Sequence, residues 1–154
     1  MLQELKTILL KDLAALRREI EQYPDDASLW RLLPGTTNPG GNLALHLAGN
    51  LQHFIGAQLG HTGYQRIRDR EFTARGLSRE QVLQELDAAA RAVESTLAGL
   101  DPGMLELEFP SPMGGQRMGT RQFLLGLCSH LGYHLGQINY HRRLAAALPA
   151  REPK

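Results

Sequence analysis

The chain has a single cysteine, Cys128, in 154 residues. No internal disulfide can form, which fits a reducing compartment and leaves stability to an apolar core. It also has almost no net charge: 17 Lys and Arg stand against 16 Asp and Glu, for a formal charge of +1. That excludes the strongly basic footprint of a general nucleic-acid binder. No run of 18 uncharged apolar residues occurs, so nothing is expected to span a membrane. The N-terminal MLQELKTILLKDLAALRREI carries charges throughout and lacks a signal peptide's apolar block. Internal repeats and low-complexity tracts are absent as well. What remains is 42% hydrophobic and 21% charged residues, enough for a packed core. These features predict one soluble, cytoplasmic domain over residues 1–154.

Helical spacing dominates. Leu2, Leu5, Leu9, Leu13, Leu16 and Ile20 form one apolar stripe over residues 2–22, closed by Pro24 and the Asp25-Asp26 pair. RLLPGTTNPGG at 31–41 reads as a connector. A second helix is expected from about Asn42 to Leu59, ended by Gly60 and Gly63. Residues 61–77 then form a connection long enough to cross over the fold. Its Arg66, Arg68 and Arg70 read as solvated loop charges that could greet an anionic cosubstrate. Ser78 caps a third helix, with Gln81 completing a capping box and Val82, Leu83, Leu86, Ala90, Val93 and Leu97 facing the core. Leu105, Leu107 and Phe109 alternate with Glu106 and Glu108 ahead of Gly114-Gly115, the pattern of a short hairpin or flap. A fourth helix should start at Thr120 as its cap and run to about Ala147. The expected fold class is all-α: a four-helix bundle with a long connection after the second helix and a flap before the last.

Two helices carry polar lines where Lys or Glu would be ordinary. On the second, Asn42, His46, Asn50 and His53 lie within roughly 40° of one line. On the fourth, His130, His134, Gln137 and His141 do the same, flanked by Leu127, Leu131, Leu135 and Ile138. Buried imidazoles need partners, because desolvating a polar group without one costs about 2 kcal/mol or more. The partner is either protein hydrogen bonds or a divalent metal. In the metal reading, His130 and His134 supply two ligands from one helix and His46 the third, leaving a fourth position open in the manner of catalytic sites. The His-Glu-x-x-His pattern of zinc proteases and the Glu-x-x-His pattern of di-iron bundles are both absent.

Asn42-Leu-Ala-Leu-His46-Leu-Ala-Gly-Asn50 and His130-Leu-Gly-Tyr-His134-Leu-Gly-Gln137-Ile-Asn-Tyr-His141-Arg-Arg resemble the DinB/YfiT-like superfamily. The close match covers about 42–54 and 120–143, while the helix order fits the whole chain. The resemblance implies a four-helix bundle in which His46, His130 and His134 bind one divalent metal per chain, zinc or nickel first among the candidates. It also implies homodimers, and relatives that include thiol S-transferases using bacillithiol or mycothiol and a related isomerase.

A metal deprotonates a bound thiol, and the thiolate is the nucleophile. Cys128 lies about 160° around the helix from His130 and reads as a small core residue. The thiol is therefore expected from a low-molecular-weight cosubstrate, with an electrophile as second substrate. His53 and His141 are the candidates to orient the cosubstrate or move a proton. Asn50 and Gln137 are candidates to bind ligand or to support the site, or else to bridge helices as buried amides. No motif places a carboxylate beside the metal. Two other readings stand: a metal-dependent hydrolase, and a non-catalytic metal-containing bundle that senses stress or binds a partner. Tyr23 and Trp30 should pack the first helix on the bundle. Arg142 and Arg143 should suit the helix dipole. Leu51 and Ile55 are either a dimer contact or covered by the first helix.

Overall fold

A computed structural model describes residues 1–112 and 115–148. Its helices are α1 (Leu2–Glu21), α2 (Asp26–Leu29), α3 (Gly40–Leu51), α4 (Arg68–Thr73), α5 (Arg79–Gly99) and α6 (Thr120–Ala147). A π turn, Gln52–Ala57, prolongs α3, and a 3₁₀ turn spans Pro102–Glu106. The fold is all-helical among the described residues, with one isolated antiparallel bridge between Glu108 and Gly119.

The apolar stripe of α1 is buried as its spacing requires, at Leu5, Leu9, Leu13, Leu16 and Ile20. Asp25 does more than end that region. Its carboxylate accepts from the Ser28 N–H at 2.6 Å and caps the one-turn α2. Ser78 caps α5 with the expected reciprocal bonds to Gln81. α3 starts two residues earlier than its spacing suggests, because Gly40 and Gly41 lie beneath Tyr23 and Trp30. A Cβ on Gly40 would sit 2.0 Å from the Tyr23 hydroxyl, and one on Gly41 2.8 Å from the indole.

The expected hairpin is reduced to a remnant. Asp101 accepts from the Gly103 N–H and Pro102 opens a 3₁₀ turn, so Leu105 and Phe109 are buried while Leu107 is exposed. Alternate residues therefore do not share one face. Two backbone bonds survive, Phe109 N–H to Met118 at 2.9 Å and Thr120 N–H to Leu107 at 2.8 Å. Gly114 of the expected tip lies outside the described residues. Thr120 is the first residue of α6 and Gly119 its cap, one position from expectation.

Side-chain pairings set the helix directions. Arg17 bonds Asp87, and Arg79 reaches the Tyr23 carbonyl, so α1 and α5 are antiparallel. Gln52 bonds Glu85, Gly56 abuts Ala92 and Gly60 abuts Thr96, so α3 and its π turn run parallel to α5. Gly40 meets His141, His46 meets His130, and Phe54 meets Phe123, so α3 and α6 are antiparallel. Two parallel neighbours, α3 and α5, cannot be joined by a short turn. The chain must return along their length, and residues 61–77 make that return. The long connection is therefore a crossover, and it runs past His46.

Leu51 and Ile55 are buried within the chain, so they are core residues and not a dimer contact. Arg142 does not serve the helix terminus: its Nε donates to Glu19 at 2.6 Å and ties α6 to α1. Among the described residues, no helix is long and apolar enough to cross a membrane.

Candidate metal centre

α3 supplies His46, and α6 supplies His130 and His134 from successive turns of one face. Their nearest ring nitrogens all lie within 4.8 Å of one another. His46 Nε2 and His130 Nε2 are 3.2 Å apart. The His46 ring centre stands 5.3 Å from that of His134, and the two α6 rings 4.6 Å from each other, all nearly edge-on. The three sequence candidates are thus brought together.

The surroundings fix which nitrogens face the centre. Glu71, carried by α4, meets His46 Nδ1 at 2.9 Å through its Oε2. A carboxylate only accepts, so the proton of a neutral His46 sits on Nδ1 and the Nε2 lone pair faces His130. His134 Nδ1 donates to Gln137 Oε1 at 2.7 Å, and Gln137 Nε2 in turn donates to the Tyr133 hydroxyl at 3.2 Å. His134 is left with Nε2 as its free donor to a metal. Two of the three imidazoles are therefore oriented by an acceptor on the far nitrogen, the arrangement that metal-ligating histidines adopt.

The residues fit a divalent ion. Two ligand nitrogens at about 2.05 Å from a tetrahedral centre stand about 3.3 Å apart, close to the spacing of His46 and His130. His130 and His134 are both favoured as neutral imidazoles. Burial, and then the neighbouring His134 and His46, hold His130 down to about 4 from an ordinary 6.5. Burial also lowers His134, opposed by the bond to Gln137. Neutral imidazole is the ligating form.

Glu71 is the residue that motif reasoning missed. Arg66 grips it with two bonds, Nε to Oε1 at 2.6 Å and Nη2 to Oε2 at 2.8 Å. Burial raises the Glu71 pKa, but bonds from Arg66 and His46 outweigh it and hold the carboxyl below its usual range. Arg66 is no solvated loop charge: its side chain is 10% exposed and its guanidinium lies 5.7 Å over the Phe54 ring. Gly49 permits the approach, since a Cβ there would lie 2.3 Å from Glu71 Oε1. A glycine inside a helix, three residues after a histidine, was the available sequence signal. Asn42 anchors the crossover from the other side. Its Nδ2 donates to the carbonyls of Glu71 and Ala74 at 2.9 and 3.0 Å, and its Oδ1 accepts from Arg75 at 2.7 Å.

The remaining candidates divide. His53 sits in the π turn, half-buried, with its Nε2 accepting from Gln58 Nε2 at 3.0 Å. Gln58 Oε1 accepts from the Ser111 hydroxyl, which brings Ser111 against this end of the π turn. Burial first, then the Arg66 charge, lowers the His53 pKa. Asn50 lies one turn beyond His46 and is buried. His141 is not with the triad. It is 4% exposed, with Nδ1 2.7 Å from the Tyr23 hydroxyl and Nε2 2.8 Å from the Arg31 carbonyl. Cys128 is partly buried against the core, and burial raises its thiol pKa.

An all-helical fold with three converging imidazoles defines a class: a helical protein able to hold a metal ion between α3 and α6. The sequence pattern of the DinB superfamily matches residues 8–138, and the chain belongs to that superfamily. The matched span holds the whole triad and Glu71. No curated protein matches the chain.

Proposed function

We propose that this chain is a one-domain, four-helix-bundle metalloprotein in which His46, His130 and His134 hold one zinc or nickel ion. We infer that it joins a low-molecular-weight thiol to an electrophile in the cytoplasm. The observation that carries the reading is the convergence of His46 Nε2 and His130 Nε2, 3.2 Å apart, with His134 alongside. Three ligands leave a position open, where a divalent ion supplies Lewis acidity that lowers the pKa of a thiol.

The chain's own residues support transfer over an internal redox or nucleophile mechanism. Cys128 packs against the core away from the triad, so the sulfur must arrive with a cosubstrate. The transfer forms a sulfur–carbon bond, expels the electrophile's leaving group, and passes the S–H proton to solvent at the half-exposed His130 and His134 rim. Glu71 and Arg66 form a neutral pair behind His46, so the site adds no net charge of its own and an anionic thiolate is not repelled. With its Nε2 committed to Gln58, neutral His53 presents Nδ1–H and acts as a donor that orients the cosubstrate. His141, closed by two hydrogen bonds, supports the fold instead of the reaction. The face of α6 with Leu125, Tyr133, Tyr140 and Leu144 exposed suits a homodimer, for which light scattering should give twice the 17.1 kDa chain mass.

Elemental analysis of untagged protein beside His134→Ala is the test. About one metal per chain in the wild type, and under a tenth in the variant, is expected for a three-ligand site. The metal-loaded protein should then consume thiol with standard electrophiles faster than the metal-stripped protein. No bound metal and no uptake of zinc or nickel would sink the reading. Metal without thiol consumption would remove the transferase and leave a metal-binding bundle.

A further inference from the structure

Asn50 has an unexplained polar atom. The side chain is 7% exposed, and its Oδ1 is fully buried with no hydrogen-bond partner among the described residues. A buried acceptor without a donor has lost its water and gained nothing in return, so a helical protein with a free choice of residue would place Leu or Ala here. Three other amides around the site have protein partners. Asn42 holds the crossover, Gln137 holds His134, and Gln58 holds His53.

The position of Asn50 says what it faces. It follows His46 by four residues, so it lies about 40° around and about 6 Å along the same helix face. On the antiparallel α6, His46 is opposite His130 and Phe54 is opposite Phe123. Asn50 therefore sits between the triad and the Phe54, Phe109 and Phe123 cluster. On that side α3 and the crossover close around it, with Arg66 reaching from His46 to Phe54.

We propose that the Asn50 amide is the positioning contact for the exogenous protic ligand of the triad. The ligand class is a thiol, with water in its place when thiol is absent. This deepens the function proposed above and rests on it. Oδ1 accepts the S–H of an arriving thiol. Rotation of the amide by 180° presents Nδ2–H, which donates to the sulfur once the proton has left. One side chain thus serves both protonation states, which neither Asp nor Leu can do.

The test uses protein loaded with Co²⁺, with 2-mercaptoethanol as probe and the sulfur-to-cobalt charge-transfer absorption as readout. Wild type is compared with Asn50→Leu and Asn50→Asp. Asn50→Leu should keep about one cobalt per chain and bind the thiol about 10-fold more weakly, the loss of one hydrogen bond at a buried site. Asn50→Asp should bind it more weakly still at neutral pH, because a carboxylate repels the thiolate. The metal-free Asn50→Leu protein should melt at or above the wild-type temperature. Unchanged thiol affinity in both variants, with cobalt bound, would overturn the proposal and leave the metal site standing. A fall in melting temperature of metal-free Asn50→Leu would also overturn it, by showing that the amide bridges helices. Absence of cobalt from the wild type would instead remove the metal reading and this proposal with it.

Discussion

One face of α6 carries two kinds of histidine, seven residues apart. His141 is closed. Arg31 contributes a carbonyl, so His141 Nε2 donates to it, and Nδ1 accepts from the Tyr23 hydroxyl. Every polar atom has a protein partner, and Gly40 makes room for the tyrosine. His134 and His130 are open. His134 spends its outer nitrogen on Gln137 and turns the other toward two more imidazoles. One face of the same helix gives opposite roles, buried at His141 and half-exposed at His130 and His134. The difference is whether the facing elements bring complementary groups or like ones. A carbonyl and a hydroxyl complete a histidine, whereas three imidazoles leave lone pairs that a cation can satisfy.

The contrast is broken most strongly by exchanging the effects. His141→Ala takes the partner from the Tyr23 hydroxyl, removes the imidazole donor to the Arg31 carbonyl and empties a packed site. It should cost about 2–4 kcal/mol in urea unfolding while metal content per folded chain stays unchanged. His134→Ala should do the reverse, removing the metal with a smaller effect on the metal-free protein. Loss of metal in His141→Ala would show that the two kinds of histidine are coupled.

A finer probe is the support behind His46. Glu71→Gln preserves shape but replaces a charged acceptor with a neutral amide and frees Arg66. Metal affinity should fall about 10–100-fold in competition with a chelator, with the three ligands intact. An unchanged affinity would mean that Glu71 serves only to hold the crossover.

The smallest effect separates the two regions by pH. Burial lowers the His141 pKa below its ordinary 6.5. The unfolded chain then takes up a proton before the folded one does, so stability is full above about pH 6.5 and falls as pH drops below it. In metal-free protein, His141→Gln should flatten the part of this acid loss that His141 contributes. Melting curves between pH 7 and pH 5 would show it. Identical pH slopes in the two proteins would mean that His141 does not titrate in this window.

Much of this was legible in the chain. The stripe of α1, the Ser78 capping box and the span of α6 follow from 3.6-residue periodicity and local hydrogen bonding, which need no distant partner. The triad was legible for a similar reason. Two of its histidines sit four residues apart on one helix, and the third lies on the other helix with an uncharged polar line. The flap was misread because alternation at Leu105, Leu107 and Phe109 was overridden by the turn that Asp101 and Pro102 set up. Arg66 was misread because a charge run in a connection looks solvated until something buries it.

Helix positions, their apolar faces and the imidazoles on them were written in the order of residues, since each depends on neighbours within about four positions. Tertiary structure alone decided that α3 and α5 run parallel, and so that residues 61–77 must travel back past His46. That return brings Glu71 and Arg66, 25 and 20 residues away in sequence, to Nδ1 of His46. Packing also separates His141 from His134, by setting Tyr23 and Arg31 against the one and His46 against the other. No local rule contains that information, because hydrogen-bond partners from distant segments meet only once the core has set the path of the chain.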